Sequence, residues 1–74
     1  MLRQPRSSYV LCVRNWNYRA FLELRKVYRR IAGTWAQSHG LIRIVDESGE
    51  DDLYPRGYFV SIPIPKAARA ALRR

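Results

Sequence analysis

The hairpin in "LIRIVDESGEDDLYPRGYFV", residues 41 to 60, decides the fold. "LIRIV", 41 to 45, is a short apolar run rich in β-branched residues, which predicts a strand. In "DESGED", 46 to 51, Asp, Ser and Gly supply the side-chain hydrogen bonding and the positive φ that a tight reversal needs. "LYP", 53 to 55, predicts the returning strand. The segment is therefore a β-hairpin that leads through a short turn, "PRGY", toward a further strand.

The chain after the hairpin predicts an edge strand and a short helix. "FVSIPI", 59 to 64, alternates as a strand does, and Pro63 cannot donate to a ladder, so this strand lies at a sheet edge or ends there. "PKAARAALRR", 65 to 74, has Pro65 at a helix start and arginines in the last turn, where they complement the helix dipole. A helix of this length is marginal on its own.

The N-terminal half predicts a flexible basic arm, "MLRQPRSS", over residues 1 to 8, followed by two more strands. "YVLCVR", 9 to 14, predicts a strand that is largely covered on both faces. "FLELRKVYRRIA", 21 to 32, fits both helix and strand spacing, and a helix there would make the class α+β. We favour a strand over 26 to 32, because no good N-cap precedes it and its neighbours are strands. "GTWAQSHG", 33 to 40, is expected to be a loop with room for one helical turn.

Length and composition limit the class of protein. The 74 residues make one mainly β domain of about five strands, with a small core and without a deep enzyme cleft. No apolar stretch approaches the roughly 20 residues that span a bilayer, and the N-terminus lacks the apolar segment of a signal peptide. We therefore expect a cytoplasmic protein without membrane contact, and a monomer.

Few residues offer chemistry for catalysis. His39 is the only histidine, and it is expected in a loop beside Gly40. Cys12 is the only cysteine, and its apolar surroundings predict a buried thiol. A Cys-His pair needs both groups within hydrogen-bonding reach, and a closed zinc site needs more ligands than these two. We expect no enzymatic activity, no metal and no cofactor.

The acidic turn has the carboxylates of a calcium-binding loop but not its spacing. Such a loop needs Gly at its sixth position and a carboxylate at its twelfth, and counting from Asp46 these positions hold Asp51 and Gly57. The pattern fails at both. We expect a solvated turn whose carboxylates offset neighbouring arginines.

Several short strands, the hairpin and "YPRGYFV" together resemble the small barrel of the Src-homology-3-like fold. In that family a segment such as "PSNYV" forms a single 3₁₀ turn between the fourth and fifth strands, and residues 55 to 59 match it. "LELRKVYRRI" resembles the diverging turn that enters the second strand. The resemblance implies a small β-barrel domain over 9 to 64, followed by the short C-terminal helix over 65 to 74.

The stretch from 9 to 64 also resembles a family of short, uncharacterised bacterial proteins. The hallmark of that family is close to "HGLIRIVDESGED.LYP..YFV". This second resemblance implies a fold and supplies no activity.

The resemblance to the Src-homology-3 family suggests a partner-binding site. Pro55 and Tyr58 match the proline and tyrosine that line the groove for proline-rich peptides. The tryptophan that the family places at the start of the third strand is replaced by Leu41 and Ile42. We expect a protein partner at a set of residues that we call the aromatic corner: Trp16, Tyr18, Tyr54, Pro55 and Tyr58.

Basic residues support an alternative, since the formal net charge is +8. The arginine fork suits phosphate and stacks on bases, and interleaved aromatic rings allow sequence-tolerant stacking, so a basic barrel can bind RNA or single-stranded nucleic acid. The residues of this candidate interface lie on or beside the first three strands: Arg14, Arg25, Lys26, Arg29, Arg30 and Arg43.

Overall fold

The computed structural model describes residues 9–72. The predicted arm over 1 to 8 lies outside the described residues, as do the last two arginines of the predicted helix. In chain order the elements are β1 (Tyr9–Cys12), β2 (Val27–Ile31), α1 (Thr34–Ser38), β3 (Leu41–Val45), β4 (Asp51–Pro55), a 3₁₀ turn (Arg56–Tyr58), β5 (Phe59–Ser61) and α2 (Lys66–Leu72).

The five strands form one antiparallel sheet in the order β4-β3-β2-β1-β5. The fold is thus mainly β with a short C-terminal helix, which confirms the predicted class. Within residues 9–72 no ladder joins β4 to β5, so the sheet is open and both strands are edges. All described residues of α2 are exposed.

The ambiguous segment over 26 to 32 is a strand, as expected. Tyr28 lies opposite Val10 of β1, and Arg29 lies between Tyr9 on one side and Val45 of β3 on the other. A central position between two antiparallel neighbours provides ladder hydrogen bonds on both sides, which a helix could not use. The expected loop over 33 to 40 contains the single short helix α1.

β1 and β5 are shorter than the sequence predicts. β1 ends at Cys12 because the next two backbone amides, of Val13 and Arg14, both turn to the carbonyl of Tyr58. β5 pairs only with β1 and ends at Ser61, two residues before Pro63. The expectation that the proline-bearing strand is an edge is confirmed.

One face of the sheet carries the core, and Leu22 from the β1–β2 connection closes over it. The buried residues of the core are Val10, Cys12, Leu22, Tyr28, Ile44, Tyr54 and Phe59. Cys12 is a free thiol without exposed surface, as expected, and burial raises its pKa. No helix within residues 9–72 is long and apolar enough to cross a membrane.

Candidate binding surface

The connection between β1 and β2 folds into a compact turn that presents Trp16. The backbone amide of Tyr18 donates to Asn15, and the amide of Leu22 donates back to Tyr18, both at 2.9 Å. The Asn15 side chain donates to the Leu22 carbonyl at 2.9 Å. Asn17 takes a positive φ of 71°, which asparagine tolerates better than most residues. This local bonding fixes the loop beside the 3₁₀ turn.

Three rings of the aromatic corner meet edge to face. Tyr58 lies 6.5 Å from Trp16 and 6.1 Å from Tyr18, measured between ring centroids. The Tyr58 hydroxyl also donates to the backbone carbonyl of Trp16 at 3.1 Å. Edge-to-face pairs at such distances are favourable beyond the area that they bury. The structure therefore brings together two segments of the chain that are far apart in sequence.

The members of the aromatic corner differ in exposure. Trp16 is 60% exposed, whereas Tyr18, Pro55 and Tyr58 are half-buried. Tyr54 is only 2% exposed and packs against Tyr18 at 5.0 Å from within the core. Four of the five predicted residues can thus contact a partner, and Tyr54 supports them from below.

The Tyr54 hydroxyl donates to the carboxylate of Asp46, which is itself buried. Asp46 also accepts from the backbone amide of Ser48 at 2.9 Å and from the Ser48 hydroxyl. Burial raises the pKa of Asp46, but the hydrogen bonds from Ser48 and Tyr54 together lower it more, so the net shift is downward. The expectation of a wholly solvated acidic turn is therefore wrong for Asp46.

The next acid ties the same turn to the β1–β2 connection. Glu47 accepts from the Lys26 ammonium and from the Tyr28 hydroxyl, the latter at 2.6 Å. Its backbone amide donates to the Phe21 carbonyl at 3.0 Å. The hydrogen bonds from Lys26 and Tyr28 lower the pKa of Glu47. Sequence reasoning missed these two carboxylate–tyrosine pairs, because nothing local in "DESGED" shows which tyrosines lie nearby.

The basic residues of the nucleic-acid alternative are spread over the sheet. Arg29 and Arg30 are consecutive in β2 and so project from opposite faces. Arg43 is paired with Asp51 at 2.9 Å, and Lys26 is paired with Glu47. Because these two cations are already paired with carboxylates, they are less available to bind a phosphate. These residues do not form one continuous stripe.

Two further basic residues border the β1–β2 connection. The guanidinium of Arg14 lies 5.4 Å from the centre of the Trp16 ring, within the range of a cation–π interaction. Arg25 is exposed, has a positive φ of 62°, and donates its backbone amide to Cys12. Of the predicted basic residues, Arg14 therefore lies at the aromatic corner.

A second exposed tryptophan lies on α1. Trp35 is 58% exposed and stacks on His39 with 4.1 Å between ring centroids. His39 follows α1 as its C-cap. Among the described residues, no group of three or more His, Cys, Asp and Glu side chains is placed to hold a metal ion.

Comparison with protein-family models, curated proteins and solved structures finds no match.

Proposed function

We propose that this protein is a small non-catalytic binding module that docks a protein partner at the aromatic corner. The observation that carries this proposal is Trp16, a large apolar side chain that is 60% exposed yet held against Tyr58 and Arg14. Trp, Tyr and Arg are the residues most enriched among those that dominate binding energy at protein interfaces. Their grouping at one exposed corner favours recognition of another protein.

Preorganisation supports the same proposal. Tyr58 is fixed to the Trp16 backbone by a hydrogen bond, and Tyr18 is supported by Tyr54 from the core. Side chains that are already ordered lose less conformational entropy when a partner binds. Binding at the aromatic corner should therefore lose little affinity to the ordering of Tyr18 and Tyr58.

We also propose that the sheet is a variant of the Src-homology-3-like barrel. The support is a 3₁₀ turn over Arg56–Tyr58 between β4 and β5, where the resemblance implies one, within a five-stranded antiparallel sheet. In this proposal Pro55 and Tyr58 keep the positions of groove residues. Trp16 and Tyr18, which lie in the β1–β2 connection, take the place of the tryptophan that the family has at the start of its third strand.

One observation favours the nucleic-acid alternative. Arg14 above the Trp16 ring would put a cation beside an aromatic surface, which suits a phosphate next to a stacked base. Both functions would use Trp16, but only nucleic-acid binding would depend strongly on charge. The salt dependence of the binding affinity therefore distinguishes them.

The test is retention of proteins from nuclease-treated native lysate on the immobilised full chain. Wild type should retain a defined protein that Trp16→Ala loses. Trp35→Ala is the matched control, because it removes an equally exposed tryptophan from another surface. Equal retention by the two variants would contradict the proposal, as would loss of all retained protein upon nuclease treatment.

A further inference from the structure

A further strand can add to a sheet only at a free edge, and β4 forms one of the two edges here. The Asp46 amide donates to the Glu50 carbonyl at 3.0 Å, beside the hairpin turn. Beyond the other end of β4, the Arg56 amide donates to the Gly40 carbonyl at 3.0 Å. Because every second residue of an antiparallel strand bonds to its neighbour, the even-numbered residues of β4 pair with β3. The alternate residues direct their backbone groups to the free edge: Asp51, Leu53 and Pro55.

The middle and the end of this edge offer no amide to an added strand. The Leu53 amide donates to the carboxylate of Asp52, the preceding residue, at 2.8 Å. Pro55 has no amide proton to donate. Asp51, at the start of the edge, carries a charge that is paired with Arg43. Charged side chains and proline are devices by which proteins protect an edge strand from pairing.

The other free edge, on β5, is protected in a similar way. The amide of Ile62 donates to the Tyr9 carbonyl of β1, so alternation directs the odd-numbered residues from 59 to 63 away from β1. The Phe59 amide donates to the Arg56 carbonyl of the 3₁₀ turn, and Pro63 has no amide proton. Neither residue therefore offers a donor to an added strand. Because β4 is longer than β5, the protection of β4 matters more.

We propose that the hydrogen bond from Leu53 to Asp52 prevents a second copy of this chain from pairing with β4, and so keeps the protein monomeric. Two copies paired antiparallel through this edge would use the Leu53 amide in any register longer than the first residues of β4, because Pro55 cannot donate. The Asp52 carboxylate would then lose its donor and lie against the incoming strand, and a buried charge without a partner is costly. Asp52 is exposed, so the core does not need its carboxylate.

Repulsion between copies is the alternative explanation for a monomer, since the formal net charge is +8. The two explanations make opposite predictions for a variant that removes the Asp52 carboxylate. Removal of one negative charge raises the net charge by one and strengthens repulsion, whereas it also frees the Leu53 amide for pairing. This inference does not depend on docking at the aromatic corner, because self-association is measured without a partner.

The test is the mass in solution of Asp52→Val, measured by analytical ultracentrifugation over a range of concentrations at about 150 mM salt. Valine cannot accept the Leu53 amide, and it favours an extended strand. The mass of this variant should rise from one chain toward two with concentration, whereas wild type should remain at one chain. Asp52→Ala, which lacks the strand preference, should shift in the same direction but more weakly.

Two variants serve as matched controls. Asp51→Val removes the same charge and adds the same side chain at the neighbouring residue, but it leaves the bond between Asp52 and Leu53 in place. It also breaks the exposed pair with Arg43, which contributes little to stability. Asp52→Asn removes the charge but keeps an oxygen that can accept from Leu53. Both controls should remain monomeric.

The Leu53 amide also reports where the copies meet. In Asp52→Val its exchange with solvent, followed by NMR, should slow as the concentration rises. The proposal is overturned if Asp52→Val keeps the mass of one chain at every concentration, or if either control associates as strongly. Association that leaves the exchange of Leu53 unchanged would also overturn it, because the copies would then meet at another surface. Wild type that pairs through β4 would do the same.

Discussion

Tyr54 donates its hydroxyl to the buried carboxylate of Asp46 across the β3–β4 hairpin. The same tyrosine supports Tyr18 from below, with their ring centroids 5.0 Å apart. A charge in the hairpin turn is thus connected to the surface that we propose for binding. We therefore expect that loss of the Asp46–Tyr54 hydrogen bond would weaken both the turn and the packing of Tyr18.

Asp46→Asn should destabilise the fold, because an amide can accept through only one oxygen and also brings donors into a site built for acceptance. The hydrogen bonds that Tyr54 and Ser48 donate would be weakened or lost, which should lower the free energy of unfolding by about 1–3 kcal/mol. Urea unfolding measures this free energy. Glu50→Gln, an exposed change in the same turn, is the control and should stay within about 0.5 kcal/mol of wild type. Equal midpoints for the two variants would refute this prediction.

Stability should fall when the pH drops below the ordinary pKa values of Asp46 and Glu47, which are 3.8 and 4.5. Both pKa values are lowered by folding, so the unfolded chain binds protons first. Their contribution is therefore complete above these values and is lost as the pH falls through the lower pKa values of the folded state. Urea midpoints from pH 7 to pH 2 should show the decline.

Asp46→Asn is also the control for the pH dependence. It removes one of the two groups, so its midpoint should change less between pH 5 and pH 2, and the gap to wild type should narrow in acid. A gap that stays constant over this range would show that the Asp46 carboxylate does not carry the effect.

Strand β3 could be predicted from sequence because its signal is local, whereas the spacing of β2 also fits a helix and only its neighbours favour a strand. "LIRIV" and the turn after it specify β3 and the reversal without knowledge of the rest of the chain. The role of Asp46 could not, because the Tyr54 hydroxyl that its carboxylate accepts from comes from the other strand of the hairpin. The meeting of Trp16 with Tyr58 likewise depends on a loop conformation that includes a positive φ at Asn17. Burial and loop geometry are properties of the assembled fold.

The thiol of Cys12 should react slowly with a disulfide reagent in the native protein. It has no exposed surface, and its pKa is raised by burial, so little thiolate is present near neutral pH. Absorbance at 412 nm with Ellman's reagent measures the rate, and the same protein in concentrated urea is the control. Rapid reaction of the native protein would show that β1 opens readily or that the thiol is accessible.

Binding of the retained partner should depend only weakly on salt if the aromatic corner carries it. Burial of apolar surface is not a charge effect, whereas contacts to single-stranded nucleic acid give a log–log slope of about −0.7 for each phosphate. Titrations at several NaCl concentrations should therefore give a shallow slope for the partner and a steep one for a single-stranded RNA probe.

The variants should divide in the same way. Trp16→Ala should abolish partner binding. The double variant Arg29→Ala with Arg30→Ala should instead make RNA affinity less dependent on salt. It should leave the aromatic corner intact, since neither arginine contributes to the ring contacts of Trp16 or Tyr58. A steep slope for the partner would contradict docking through apolar contacts. Tight RNA binding near 150 mM salt that Trp16→Ala abolishes would favour nucleic acid as the ligand of this surface.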